Sequence, residues 1–227
     1  MHIVLDRKAC VAIDKGISGK FEQISVRVKD SGLYIQAVDK SRSMVVDHYI
    51  DTMLLESCSG ESEGITIPYT KFLLAGMDRL SFSKTGSLLK LVWTGSGILL
   101  EKNVYILDFV WSEIEYSLGS VLFSLQYTAL SLIRRVCGNE LEICVEKTKV
   151  EIRALSENHI VLTSSLEAPV ACKCSFTLLK YHLDRLPKYT YTAATFNIDK
   201  QGLVILSLEA LGVITTITIA TEVLFFE

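Results

Sequence analysis

Four histidines, six cysteines and a scatter of carboxylates are the side chains of this 227-residue sequence that could hold a metal or move a proton. His2, His48, His159 and His182 lie far apart and read as surface or core histidines rather than ligands. The acids Glu113 and Glu115, and likewise Glu140 and Glu142, alternate as residues on one side of an extended chain do, which suits a solvated face. A two-metal nuclease needs several acids converging on one site, and no such cluster stands out. P-loop, GxGxxG, HExxH and GxSxG patterns are absent. Cys10, Cys58, Cys137, Cys144, Cys172 and Cys174 include one CxC and no CxxC, and they sit within apolar runs. Free buried thiols are expected in place of disulfides or zinc. The reading is therefore not an enzyme, with no metal and no cofactor.

The cations are better organised. Arg7, Lys8, Lys15 and Lys20 lie in or beside a first candidate helix, and Lys71 and Arg79 lie around a second. Arg134 and Arg135 lie in a third, and Lys180, Arg185 and Lys188 lie in or just after a fourth. The chain as a whole is acidic, with 23 Lys and Arg against 26 Asp and Glu, a net charge of −3. A generally basic nucleic-acid binder is excluded, but one with its positive charge gathered on a single face is not. Amphipathic helices also place cations on wet faces for no purpose beyond solubility. If the four helices shared one side of the sheets, the same charges would form a surface that attracts phosphate without reading bases.

What must position those cations is a duplicated domain. Val26-Arg27-Val28 corresponds to Ile143-Cys144-Val145, and Leu33–Val38 to Val150–Leu155, at a constant spacing of 117 residues. The same spacing sets Met44-Val45 on Val161-Leu162 and the polar turn 39–43 on 156–160, so the hairpin in SGLYIQAVDKSRSMVVD recurs at 148–164 without a gap. Apolar residues alternate with period two in both copies. Lys8–Lys15 and Tyr127–Val136 have apolar residues at helical spacing and run to Gly16 and Gly138. Downstream, ITIPYTKFLL (65–74) matches CSFTLLKYHL (174–183), a strand running into a helix, and Gly97-Ile98-Leu99 matches Gly212-Val213-Ile214. Each half is expected to run strand, helix, hairpin, strand, helix, strands.

The expected organisation is α+β: a first domain over 1–104, an ordered connector over 105–118, and a second domain over 119–227. Hydrophobic residues make up 49% of the chain and only three are proline, so the whole of it should fold. Charges at Asp6, Arg7 and Lys8 interrupt any signal-peptide core, and no run reaches about 18 apolar residues. A soluble intracellular protein with no membrane partner is expected.

This plan resembles the sliding clamps of the PCNA family. The residues that carry the resemblance are SGLYIQAVDKSRSMVVDHYI (31–50), ITIPYTKFLLAGM (65–77) and YILDFVWSEIEY (105–116). It implies two sliding-clamp domains, each with two helices packed on antiparallel sheets, joined by an interdomain connector. It further implies a trimeric ring of clamp subunits joined edge to edge around double-stranded DNA, placed there by an ATP-dependent loader. The helix cations named above would face the DNA. Repair, checkpoint or polymerase proteins would dock near the connector, in a groove involving Val38, Arg42, Phe109, Val110 and Ile114. The ending TEVLFFE differs from the Leu-Ala-Pro-Lys-like tail of replicative clamps, whereas FNIDKQGLVILSLEAL (196–211) and LKLVWTGSGILLEKNVYI (89–106) are similar to checkpoint clamp subunits. A subunit of the heterotrimeric nine-one-one checkpoint clamp is the reading, nuclear in a eukaryote and cytoplasmic otherwise. A divergent homotrimeric replicative clamp is the alternative, and a clamp fold used only for protein contacts is a further one.

Overall fold

The computed structural model describes residues 1–17, 19–29, 31–59, 64–114, 121–136, 139–155, 160–199 and 201–226, without the side chains of 130, 133–136, 155 and 193. In the first half, β1 (His2–Asp6) leads into α1 (Arg7–Gly16), then β2 (Gln23–Lys29), β3 (Gly32–Val38) and β4 (Met44–Asp51). A short 3-10 turn (Thr52–Leu54) precedes β5 (Leu55–Ser59), β6 (Ile65–Pro68), β7 (Arg79–Thr85), β8 (Leu88–Gly95) and β9 (Ile98–Tyr105). The second half runs β10 (Val121–Gln126), α2 (Tyr127–Val136), β11 (Glu140–Val145), β12 (Lys149–Leu155), β13 (Ile160–Ser165) and β14 (Lys173–Leu179). It ends with α3 (Lys180–Leu183), β15 (Ala193–Ile198), β16 (Leu203–Ala210), β17 (Val213–Ala220) and β18 (Val223–Phe226).

Alternating apolar residues make these strands one-sided, and they stack as antiparallel sheets with the apolar sides inward. The sheet orders are β5-β1-β7-β8-β9, then β10-β15-β16-β17-β4-β3-β2-β6, then β13-β12-β11-β14-β18. Val26 and Ile67 of the middle sheet meet Leu80, Phe82, Leu89 and Leu91 of the first. Phe196 of the middle sheet stacks on Phe123 at 4.8 Å and meets Phe176 of the third sheet at 6.2 Å. The middle sheet is where the halves join, because β17 of the second pairs antiparallel with β4 of the first, Val213 opposite Ile50 through Ile219 opposite Met44. No described helix is long and apolar enough to cross a membrane.

α1 begins where the Asp6 carboxylate accepts the Ala9 N–H at 2.7 Å, an N-cap for a donor the helix cannot satisfy itself. Ala9, Cys10, Ala12, Ile13 and Gly16 form its buried stripe, and Arg7, Lys8 and Lys15 stay exposed. Gly16 is required where α1 meets the seam, since a Cβ there would lie 2.2 Å from the His48 ring.

Three expectations are corrected. Residues 69–78, expected to continue into a helix carrying Lys71, form a loop, so the first half has α1 and no second α-helix among the described residues. The backbone groups a helix would use are taken by other elements. The Asp14 carboxylate accepts the Phe72 and Leu73 N–H groups at 2.8 and 2.7 Å, and the Trp93 indole donates to the Phe72 carbonyl at 2.9 Å. Its counterpart α3 is a single turn of four residues. The hairpin repeat also contains a gap, because Ala37 pairs with Val46 while Ala154 pairs with Ile160. The second hairpin is thus three residues shorter, and Val46, not Ser43, corresponds to Ile160, the first residue of β13. Finally, Val26 pairs with Ile65 and Ile143 with Phe176, which sets Ile65 on Phe176 and not on Cys174. A slip of two keeps the inward face inward, which is why the apolar pattern alone does not detect it.

Candidate functional site

Two surfaces bring expected site residues together. The first gathers around α1. The Lys15 carbonyl accepts backbone N–H groups from Lys188 at 2.6 Å and Tyr189 at 3.1 Å, so the end of α1 is bound to the segment after α3. The Tyr127 hydroxyl at the start of α2 donates to the Pro187 carbonyl in that segment. Lys71 lies close enough to Asp14 to favour its carboxylate, although burial wins and raises the Asp14 pKa above the usual range. Lys8, Lys15, Lys71, Lys180 and Lys188 are all exposed, and none forms an ion pair among the described residues.

The remaining expected cations are ion-paired or stand elsewhere. Arg79 is paired with Glu56, and Arg7 with Asp78 at 3.2 Å. Lys20 and Arg185 line a cleft beside the connector, with the expected partner-binding residues. Arg134 and Arg135 fall in the last turn of α2, and their side chains lie outside the described residues, as do His159 and Glu115.

The second surface is that cleft, of about 630 Å³, lined by Val38, Arg42 and Val110 together with Lys20, Lys40 and Arg185. One wall is the strap 106–114, held against β2, β3 and β6 by polar side chains at positions that are otherwise apolar. Leu107 N–H bonds the Thr66 carbonyl at 2.8 Å, and Val110 N–H bonds Thr66 Oγ1 at 3.0 Å. Ser25 Oγ donates to the Val110 carbonyl at 2.5 Å. The Gln36 amide takes Ser112 at both ends, accepting its N–H at 2.7 Å and donating to its carbonyl at 2.9 Å. An extended strap turns alternate residues to opposite sides. Phe109 and Trp111 accordingly share the Arg27 guanidinium, 5.2 and 4.6 Å from their ring centroids, while Val110 faces the cleft.

Phe109, expected in the groove, is therefore engaged behind the strap, where its ring fills the space a Cβ on Gly64 would need. Ile114 is half-buried and does not line the cleft. The three residues the structure does bring together there are Val38, Arg42 and Val110.

The opposite wall ties the two halves. Asp39 accepts the Met44 N–H at 2.7 Å, the Ser41 N–H at 3.2 Å, the Ser41 and Ser43 hydroxyls, and the Tyr181 hydroxyl of α3. Burial alone would raise its pKa, but these donors outweigh it and hold the carboxyl below the usual range. The turn so built presents Arg42 at a left-handed φ of 56°, a conformation that costs energy in a non-glycine residue. Arg185 lies 3.6 Å over the Tyr181 ring and donates to the Tyr181 carbonyl at 3.0 Å.

Tyr181, Arg27 and Gln36 were not singled out from sequence. Gln36, within the apolar run of β3, was the one legible signal, since a buried amide needs partners. Burial pushes the Cys10 and Cys174 thiols up to about 12, which disfavours their thiolates. Among the described residues no group of three His, Cys, Asp or Glu could hold a metal ion.

No protein-family model and no curated protein matches the sequence. Solved structures do match in fold. The PCNA of Thermococcus kodakaraensis superposes with a TM-score of 0.74 at 16% identity, over 97% of this chain and 99% of that one. Proliferating cell nuclear antigen from Entamoeba histolytica gives 0.74 at 13% identity, over 97% and 98%. The PCNA2–PCNA3 complex of Sulfolobus tokodaii gives 0.72 at 14% identity, over 98% and 99%. The chain has the fold of the PCNA sliding clamps along its whole length.

Proposed function

We propose that this protein is one subunit of a ring that encircles double-stranded DNA and recruits other proteins to it, catalysing no reaction itself. One observation carries the reading: the seam inside the chain is a template for a seam between chains. β8 and β9 correspond to β16 and β17 at a spacing of 115, since Gly95 pairs with Ile98 and Ala210 with Val213. β4 corresponds to β13 at 114, by the hairpin pairings above. β17 and β4 pair with each other, whereas β9 and β13 are edge strands of the described sheets. β9 is 58%, 61% and 45% exposed at Ile98, Leu99 and Leu100, and Val161 of β13 is 52% exposed. Unpaired apolar edges are a liability unless a partner strand covers them.

Transferring the internal register sets Leu100 of one subunit opposite Leu162 of the next, and Ile98 opposite Ser164. It also brings the end of α2, with Arg134 and Arg135, toward Lys71 of the neighbour. A repeated head-to-tail contact closes a ring when its rotation allows, and the exposed helix-side lysines then give salt-sensitive phosphate contacts.

Within this reading the protein serves in a DNA-damage checkpoint clamp of unlike subunits, placed by an ATP-dependent loader and, in a eukaryote, nuclear. The stretches 89–106 and 196–211 support that role, and the PCNA2–PCNA3 complex is a precedent for unlike subunits in this fold. The connector cleft receives the recruited partners. Mass photometry of the tagged protein isolated with its companions tests the assembly. Three subunits are expected, and Leu99→Pro, which removes an N–H directed away from β8 at the free edge, should lower the assembly mass on dilution by breaking the seam at β9. A single-chain mass for the parent, or a proline variant that assembles unchanged, would overturn it. A second distinct polypeptide in the assembly supports the checkpoint role, and three identical chains overturn that role in favour of a replicative clamp.

A further inference from the structure

Charge sets the connector cleft apart from a simple apolar groove. Among the described residues Lys20, Lys40, Arg42 and Arg185 line it against two carboxylates, Glu22 and Asp39. Both acids are already engaged: Glu22 by Lys40 at 2.6 Å, and Asp39 by the turn donors and Tyr181. Neither Arg42 nor Arg185 forms an ion pair among the described residues. Arg185 is held in place by stacking on Tyr181, so little of its side-chain freedom is lost when it takes an anion, and the turn fixes the backbone from which the exposed Arg42 projects. At the strap's centre Val110 and Ser112 have both N–H and carbonyl occupied by Thr66, Ser25 and Gln36, which fixes the Val110 side chain at the cleft.

We propose that the cleft takes an acidic peptide segment, with an apolar side chain on Val38 and Val110 and flanking carboxylates on Arg42, Arg185 and Lys20. This rests on the reading of the cleft as the partner-docking surface and names the chemistry of the partner. A peptide fits better than nucleic acid, because Val38 and Val110 offer an apolar contact that a phosphate chain does not use, and about 630 Å³ is too small for a duplex. Carboxylates on guanidinium groups form charge-assisted hydrogen bonds, roughly twice as strong as neutral ones.

Fluorescence anisotropy of the assembled protein tests this with labelled peptides of Glu and Asp around one Leu, and with analogues carrying Gln and Asn instead. The acidic peptide should bind about tenfold tighter than the amide analogue at low salt, with the advantage shrinking as salt is added. Arg42→Glu and Lys20→Glu, both exposed and checked by unchanged melting, should each lower its affinity by about fivefold or more. Undiminished binding in both variants, or displacement by single-stranded oligothymidine, would overturn the proposal. If the amide analogue binds equally well and Val110→Glu abolishes its binding, the acidic chemistry fails while the docking surface stands. If no peptide binding depends on Arg42, Lys20 or Val110, the docking surface fails with it.

Discussion

Protonating a single ring works against the joint between the two halves. His48 is fully enclosed on β4, its Nδ1 2.8 Å from Thr215 Oγ1 of β17, which is itself 2.5 Å from the Tyr191 hydroxyl. Nε2 has no partner among the described residues, and burial lowers the pKa from 6.5 to about 3. Between those values the unfolded chain binds the proton and the folded one does not, so stability falls as the pH drops through that window, by about 1.4 kcal/mol per pH unit. The melting temperature should therefore decline from pH 6.5 to pH 4.5, and His48→Asn, which cannot charge, should decline less over the same interval. Equal declines would show that the seam histidine contributes nothing. Asp14 acts by a different route, through two backbone N–H groups of the 69–78 loop. Asp14→Ala should cost about 1–3 kcal/mol by leaving those donors unsatisfied, read as lower thermal stability with faster amide exchange at Phe72 and Leu73. At this scale Val38 and Arg42 were suggested by the resemblance to the clamp family, through their place in the hairpin turn. The Asp39–Tyr181 bond spans 142 residues, and no local pattern encodes it.

Elements were legible where one periodicity ruled and illegible where two parts of the chain competed for the same backbone groups. β2, β3, β11 and β12 alternate cleanly, and α1 shows both its stripe and its cap. The 69–78 segment has helical apolar spacing, yet Asp14 and Trp93 take its donors and acceptor, a tertiary contest that spacing does not register. Hairpin register failed for a related reason: alternation fixes which face a residue uses but not how many residues turn the corner. The strap was expected to be ordered, and the polar cradle of Ser25, Gln36 and Thr66 is the physical cause. Removing Arg27 should loosen its aromatic end. In Arg27→Ala, Trp111 loses the guanidinium it shares with Phe109, so tryptophan anisotropy should fall, with Trp111→Phe assigning the signal against buried Trp93. Unchanged anisotropy would mean that the cradle alone holds the strap.

For the whole molecule, a net charge of −3 coexists with unpaired cations. Lys8, Lys15, Lys71, Lys180 and Lys188 stand without ion pairs among the described residues, whereas Arg7 is matched by Asp78 and Arg153 by Glu142 and Glu151. The duplication itself was readable, but its consequence, one edge pair joined inside the chain and the equivalent pair left open, emerges only from strand order. Charge reversal at Lys8, Lys71 and Lys180 should weaken retention on DNA at low salt and flatten its dependence on salt, while the assembly stays intact by mass photometry. Encirclement is read directly by comparing closed and cut DNA. The tagged assembly, loaded in its own extract with ATP onto nicked circular plasmid, should co-elute with the circles through gel filtration and leave them after a single restriction cut. Equal retention on circular and linear plasmid would contradict a ring and indicate a static contact.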